Sequence, residues 1–136
     1  MTGFDTNILV YSCDESDPRR QQTAHQLLRR ITDGVILWQT ACEFLSASRK
    51  LEGFTAGDAW KRLAELLDVF PLVTPTPGVL QRARLLHLEL HWSYWDALIV
   101  GACLEAGVTK LYSEDLPGSQ PSEGLEIINP FAQLPG

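Results

Sequence analysis

The sequence predicts an α/β fold, a three-layer sandwich around a mostly parallel five-stranded sheet, and three observations carry that expectation. Short apolar runs alternate along the chain with longer segments of helical periodicity. The short runs are apolar on both faces, as strands buried between two layers are. Acidic and hydroxyl residues stand where several of those runs stop, and sites in such sheets form at the carboxyl ends of strands. With 136 residues, 45% of them hydrophobic and 21% charged, the chain has the length and composition of one globular domain spanning 1–136.

Gly3 to Tyr11 is apolar apart from Asp5-Thr6-Asn7 and reads as a buried parallel strand ending in a polar site. Asp14 to Pro18 is a loop with a helix-start signature, and a helix from Arg19 to Thr32 follows, with Ala24, Leu27, Leu28 and Ile31 on one face. Asp33-Gly34 ends it. Val35-Ile36-Leu37 is a second strand, and Thr40 opens a helix through Leu51 that Glu52-Gly53 closes. Thr55 begins a helix over Ala56–Val69 with a stripe of Ala59, Leu63, Leu66, Leu67 and Phe70. Pro71-Leu72-Val73 is a third strand. Pro77 suits the first turn of a helix reaching about Leu90, and Ser93 starts the most hydrophobic helix, ending at Gly107. Lys110–Ser113 is a fourth strand, Asp115–Gly124 a loop, and Glu126–Ile128 a fifth strand before Asn129-Pro130.

Composition narrows the function classes. No stretch approaches the ~20 uncharged apolar residues that span a bilayer, and Asp5 interrupts any signal-like start, so a cytoplasmic protein with no membrane partner is expected. Cys13, Cys42 and Cys103 are odd in number and widely spaced, which predicts buried free thiols and no zinc site. His87 and His91 lack the HExxH order and read as a solvated helix end. The net charge is −6, from 11 basic and 17 acidic residues, an unusual balance for a nucleic-acid enzyme. Setting four acids aside as a site leaves 11 against 13, so localised rather than broad substrate contact is expected.

Those four acids are Asp5 in Phe4-Asp5-Thr6-Asn7, Glu43 in Ala41-Cys42-Glu43-Phe44, Asp96 in Tyr94-Trp95-Asp96-Ala97, and Asp115 in Ser113-Glu114-Asp115. Each has a plain structural explanation. Asp5 suits a turn or helix cap, Thr40-x-x-Glu43 and Ser93-x-x-Asp96 are capping boxes, and Asp115 precedes the turn residues Leu-Pro-Gly. Capping leaves unexplained why both helices start beside strand ends that carry the other two acids. Gathered carboxylates repel one another and resist desolvation, and a divalent cation is the natural compensator. Ligands that are all oxygen select Mg²⁺ or Mn²⁺ over zinc.

In order and setting these acids resemble the PIN domain (PilT N-terminus) family of metal-dependent ribonucleases, over nearly the whole chain. The resemblance implies Asp5, Glu43, Asp96 and Asp115 as an acidic, metal-holding and catalytic pocket, with Asn7 and Ser113 in support. The family's pattern of hydroxyl, any residue, acid selects Ser113 and Asp115 over Glu114. One departure from the family's pattern is the segment before Glu43, Leu37-Trp38-Gln39-Thr40, since relatives often carry a small hydroxyl residue earlier in the helix and Thr40 is the hydroxyl this chain offers. The resemblance further implies an endoribonuclease acting on single-stranded RNA, of the VapC toxin type, forming a homodimer and met by a small antitoxin that blocks the pocket. Arg49 and Lys50, about two turns past Glu43, are the best-placed phosphate contacts, and Trp95 beside Asp96 is the aromatic to test for base stacking. Two other readings stand beside this one: a non-catalytic PIN module that binds or scaffolds, and a phosphohydrolase forming an aspartyl phosphate on Asp5. The latter pattern wants a second aspartate where this chain has Asn7.

Overall fold

The computed structural model describes residues 1–116 and 124–134. Its strands are β1 (Thr2–Phe4), β2 (Gly34–Leu37), β3 (Leu72–Val73), β4 (Lys110–Tyr112) and β5 (Glu126–Ile128). They form one sheet in the order β3-β2-β1-β4-β5, and every pairing is parallel. The helices are α1 (Thr6–Tyr11), α2 (Pro18–Arg30), α3 (Trp38–Ala47), α4 (Ala56–Val69), α5 (Pro77–Glu89) and α6 (Tyr94–Ala106).

Alternation along the strands sorts the side chains into two cores. Phe4, Ile36 and Tyr112 pack with α1, α2, α3 and α4 on one face, where Ile8, Leu28, Phe44 and Leu63 are buried. Val35, Leu37 and Leu111 pack with α5 and α6 on the other, with Ala83, Leu86, Val100 and Cys103. The sheet is therefore the middle of three layers, as the strand patterns require. Helices α5 and α6 approach closely at Gly101, where an added Cβ would lie 3.0 Å from the Val79 carbonyl oxygen.

The strand expected over Gly3–Tyr11 is corrected. It stops at Phe4 and the chain turns at once into α1, because Asp5 caps that helix by accepting the Thr6 amide at 2.8 Å. Ile8 and Leu9 are both fully buried, which a helix packed on a core allows at adjacent positions. Asp17 and Pro18 start α2 as their types suggest. The helix expected to open at Thr40 starts two residues earlier, and its last turn, Ser48–Lys50, tightens into a 3₁₀ turn. Helix α4 begins with a reciprocal capping box between Thr55 and Asp58. The expectation of buried thiols holds for Cys103 alone; Cys13 is half-buried, and Cys42 is exposed on the wall of an open cleft. His91 lies beyond α5 with φ 58°, and His87 is held by the Trp92 carbonyl at 2.7 Å. Of the loop expected over Asp115–Gly124, residues 117–123 lie outside the described residues. Among the described residues no helix is long and apolar enough to cross a membrane.

Candidate active site

Strand β1 leads by way of β2 to β3 on one side of the sheet, while β4 and β5 extend the other, so β1 and β4 flank the point where strand order reverses. Phe4 pairs with Tyr112, which sets Asp5 level with Ser113 just past the two strand ends. The Asp5 amide continues the ladder to the Tyr112 carbonyl at 2.8 Å, and the Ser113 hydroxyl donates to Asp5 Oδ2 at 2.7 Å.

Glu43 and Asp115 reach the same edge by different routes. Thr40 Oγ1 donates to the Phe4 carbonyl at 3.0 Å, tying α3 to the end of β1. Thr40 is thus spent on the sheet, and no capping box with Glu43 forms. Glu43 instead accepts from Gln39 Nε2 at 2.7 Å and from Thr6 Oγ1 at 3.2 Å. Asp115 is exposed and accepts from Asn7 Nδ2 at 3.0 Å. Asn7 and Ser113 thus stand where the sequence places them, each holding one carboxylate.

Asp96 lies in the first turn of α6, where its backbone amide donates to the Ser93 hydroxyl at 3.3 Å. Only this half of the expected capping box forms, and no described residue donates a hydrogen bond to the Asp96 carboxylate. The same turn is joined to Glu43 through Gln39, whose amide also donates to the Trp95 carbonyl at 3.3 Å. Glu114 turns away from the other acids and bonds to Tyr11 and Arg20. Arg49 and Lys50 are exposed at the far end of α3 from Gln39.

Thr6 and Gln39 were not singled out by sequence. Gln39 sits four residues before Glu43, a helical spacing that brings such side chains together, and Thr6 stands inside the Asp-Thr-Asn motif. Trp92 is buried, but Trp38, Trp60 and Trp95 are exposed. Trp38 and Trp95 line a cleft of about 680 Å³ with Gln39, Glu43, Pro75 and Leu98.

Burial pushes the Asp5 carboxyl above its ordinary range; hydrogen bonds from Ser113 and Thr6 pull it back, and the charges of Glu43 and Asp115 push it up again. Burial likewise pushes the Cys103 thiol up to about 12, with the Asp5 charge adding to it. Among the described residues no three carboxylate, thiol or imidazole groups are arranged as a metal-holding cluster.

The raised Asp5 pKa sets a sign for stability. A carboxyl that binds its proton more tightly in the folded state favours folding when protonated, and that contribution is lost as pH rises through the folded pKa. Asp5→Asn should therefore raise the melting temperature of the metal-free protein at about pH 7, with the gain shrinking toward about pH 4 as Asp5 protonates. Thermal melts of both proteins across that range check this; a gain independent of pH would assign the shift elsewhere.

Comparison with known proteins agrees with this architecture. A family model described as the PIN domain matches residues 4–116, a span containing all four acids. No curated protein matches the sequence. A solved toxin-antitoxin complex from Klebsiella pneumoniae contains a chain 20% identical to this one, with a TM-score of 0.70 over 96% of this chain and 98% of that one. VapBC2 from Rickettsia felis, bound to a DNA fragment from their promoter, gives 16% identity and 0.68 over 94% and 97%. FitAcB from Neisseria gonorrhoeae gives 16% and 0.68 over 97% and 99%. Identities this low speak to the fold alone, but the family model spans most of the chain from the end of β1 to the edge beyond β4, and the protein belongs to the PIN domain family.

Proposed function

We propose that this protein is a Mg²⁺- or Mn²⁺-dependent endoribonuclease that cleaves single-stranded RNA. The observation that carries the proposal is Asp5: a carboxylate at the end of β1, bound by Ser113 at the end of β4, and pushed toward protonation by burial and by Glu43 and Asp115. A cation would offset that cost and favour its ionised form. The donors suit a hard divalent ion in kind, because the edge offers carboxylate oxygens whose hydrogen-bond partners among the described residues are hydroxyl and amide groups. Asp5, Asp96, Asp115 and Glu43 would hold the ion, through lone pairs that the neutral donors on three of them leave free.

Once bound, such an ion supplies a water of lowered pKa and offsets charge at the phosphate under attack. The chain's own residues set the geometry around it. Ser113 and the Thr6 amide fix the two oxygens of Asp5, and Asn7 orients Asp115. Gln39 and Thr6 hold the two oxygens of Glu43, leaving their remaining lone pairs to accept from water. Phosphate contact rests on exposed groups such as Arg49 and Lys50, in keeping with a net charge of −6 and a localised footprint.

The test is cleavage of single-stranded RNA with Mn²⁺, with and without EDTA, beside a phosphate monoester. Metal-dependent RNA cleavage is expected. Turnover of the ester with RNA untouched would favour an aspartyl-phosphate phosphohydrolase, and silence on both would favour a non-catalytic binding module.

The cellular part of the proposal is a cytoplasmic toxin, homodimeric and paired with a small antitoxin. Its support is the likeness to chains of toxin-antitoxin complexes together with an acidic edge suited to a basic side chain. An antitoxin arginine would meet these carboxylates with two parallel hydrogen bonds in a partly dry site. Expression without the antitoxin should arrest growth, and Asp5→Asn should restore it. Harmless overexpression of an active enzyme would leave a housekeeping nuclease instead.

A further inference from the structure

The segment Ser113-Glu114-Asp115 carries two adjacent acids, of which only Asp115 sets its carboxylate on Asn7. The segment bends past the end of β4, and its two carboxylates take different partners. What holds it is distant in sequence. Arg20, on α2 and 94 residues from Glu114, donates from Nε to Glu114 Oε2 at 2.8 Å. The Tyr11 hydroxyl donates to Glu114 Oε1 at 2.7 Å, so both oxygens of this carboxylate are engaged away from Asp5.

Arg20 is itself well fixed. Its Nη1 donates to Asp17 Oδ2 at 3.3 Å, and its guanidinium carbon lies 5.4 Å from the Tyr11 ring centre and 5.8 Å from that of Phe131. Both partners of the Arg20–Glu114 pair are largely shielded, with 22% and 19% of their side chains exposed. That shielding, with a planar group set against two aromatic rings, lifts the pair above an ordinary surface ion pair and makes Arg unlike Lys here. From Glu114 the contacts run on into the site: its amide donates to Asn7 Oδ1 at 3.4 Å, and Asn7 Nδ2 donates to Asp115 Oδ2 at 3.0 Å.

We propose that Arg20 is a positioning residue of the acidic site: by holding Glu114 against α1 and α2 it commits Asp115, through Asn7, to the pocket. This rests on the metal-dependent reading above. The Arg20 side chain bonds to Glu114 and Asp17 and, among the described residues, makes no hydrogen bond or ion pair with Asp5, Glu43, Asp96 or Asp115. Its effect travels through the 113–115 segment, and it ties the helical layer of α1 and α2 to the geometry at the end of β4.

The test titrates Mn²⁺ by calorimetry into the full chain and into Arg20→Met, Glu114→Gln and the double variant. Each single change should raise the Mn²⁺ Kd roughly tenfold, the low end of what partners behind metal ligands cost. The double should be no worse than either single, because the pair acts as one unit. In the metal-free proteins the Asn7 side-chain amide resonance should shift in both single variants. A merely structural role would lower the metal-free melting temperature and leave the Mn²⁺ Kd unchanged. A folded single variant that binds Mn²⁺ as the wild type does overturns the proposal, as do effects on Kd that simply add. If Arg20→Met fails to fold, Glu114→Gln carries the comparison. A wild type that does not bind Mn²⁺ at all removes the metal-dependent reading, and this proposal with it.

Discussion

Asp5→Asn should abolish metal-dependent RNA cleavage while the protein remains folded. Asn keeps an oxygen to accept the Thr6 amide, so the cap of α1 survives. What it removes is the negative charge at the centre of the arrangement, between Ser113 on one side and the fields of Glu43 and Asp115 on the other. Groups that only orient a metal ligand cost about 10–100-fold when removed, so loss of a proposed ligand should exceed about 100-fold. Asp96→Asn should act similarly, while Ser113→Ala should fall within the lower range. Initial rates on a labelled single-stranded RNA with Mn²⁺, beside circular dichroism of each variant, make the comparison. Wild-type cleavage by folded Asp5→Asn would mean that the chemistry lies elsewhere.

Phe4→Ala is expected to have the largest effect on stability. Phe4 is fully buried in the central strand, 5.2 Å from the Phe70 ring centre and 6.4 Å from that of Tyr112. Truncation empties the space where β1, β4 and α4 meet, and such changes typically cost about 3–5 kcal/mol. Against total stabilities of about 5–15 kcal/mol, that is a large share. Chemical denaturation of the two proteins measures it, and a loss below about 1 kcal/mol would show that the core closes around the gap. Because Phe4 also sets the register that brings Asp5 level with Ser113, the variant should bind Mn²⁺ more weakly than its stability alone explains.

Arg20 and Gln39 illustrate how site residues escape a reading of the chain. An arginine in an amphipathic helix has a solvated face as its ordinary fate, and nothing near Arg20 in sequence points to Glu114. Gln39 was closer to legible, since it precedes Glu43 by one helical turn. Even there, its second bond, to the Trp95 carbonyl 56 residues away, depends on how α3 and α6 meet.

Local pattern was enough to determine the alternation of strands and helices, and with it the fold class. The apolar runs became β2, β3, β4 and β5, the Ala56–Val69 stripe became α4, and Ser93 started the helix that carries Asp96. These features depend on periodicity and on capping chemistry within a few residues, which a chain carries wherever it folds. Tertiary structure decided the rest. Gly3–Tyr11 is apolar enough for one strand, but the strand stops at Phe4 and the residues after it, Ile8 and Leu9, bury themselves in the helical layer instead. Thr40 and Glu43 fit a capping box, yet β1 offers Thr40 a carbonyl and Thr6 and Gln39 take up Glu43. Glu114 and Asp115 are adjacent acids of nearly equal chemistry. Which carboxylate meets the Asn7 amide group is settled by α1 and α2, about a hundred residues away, because a carboxylate goes where donors have already been fixed in space.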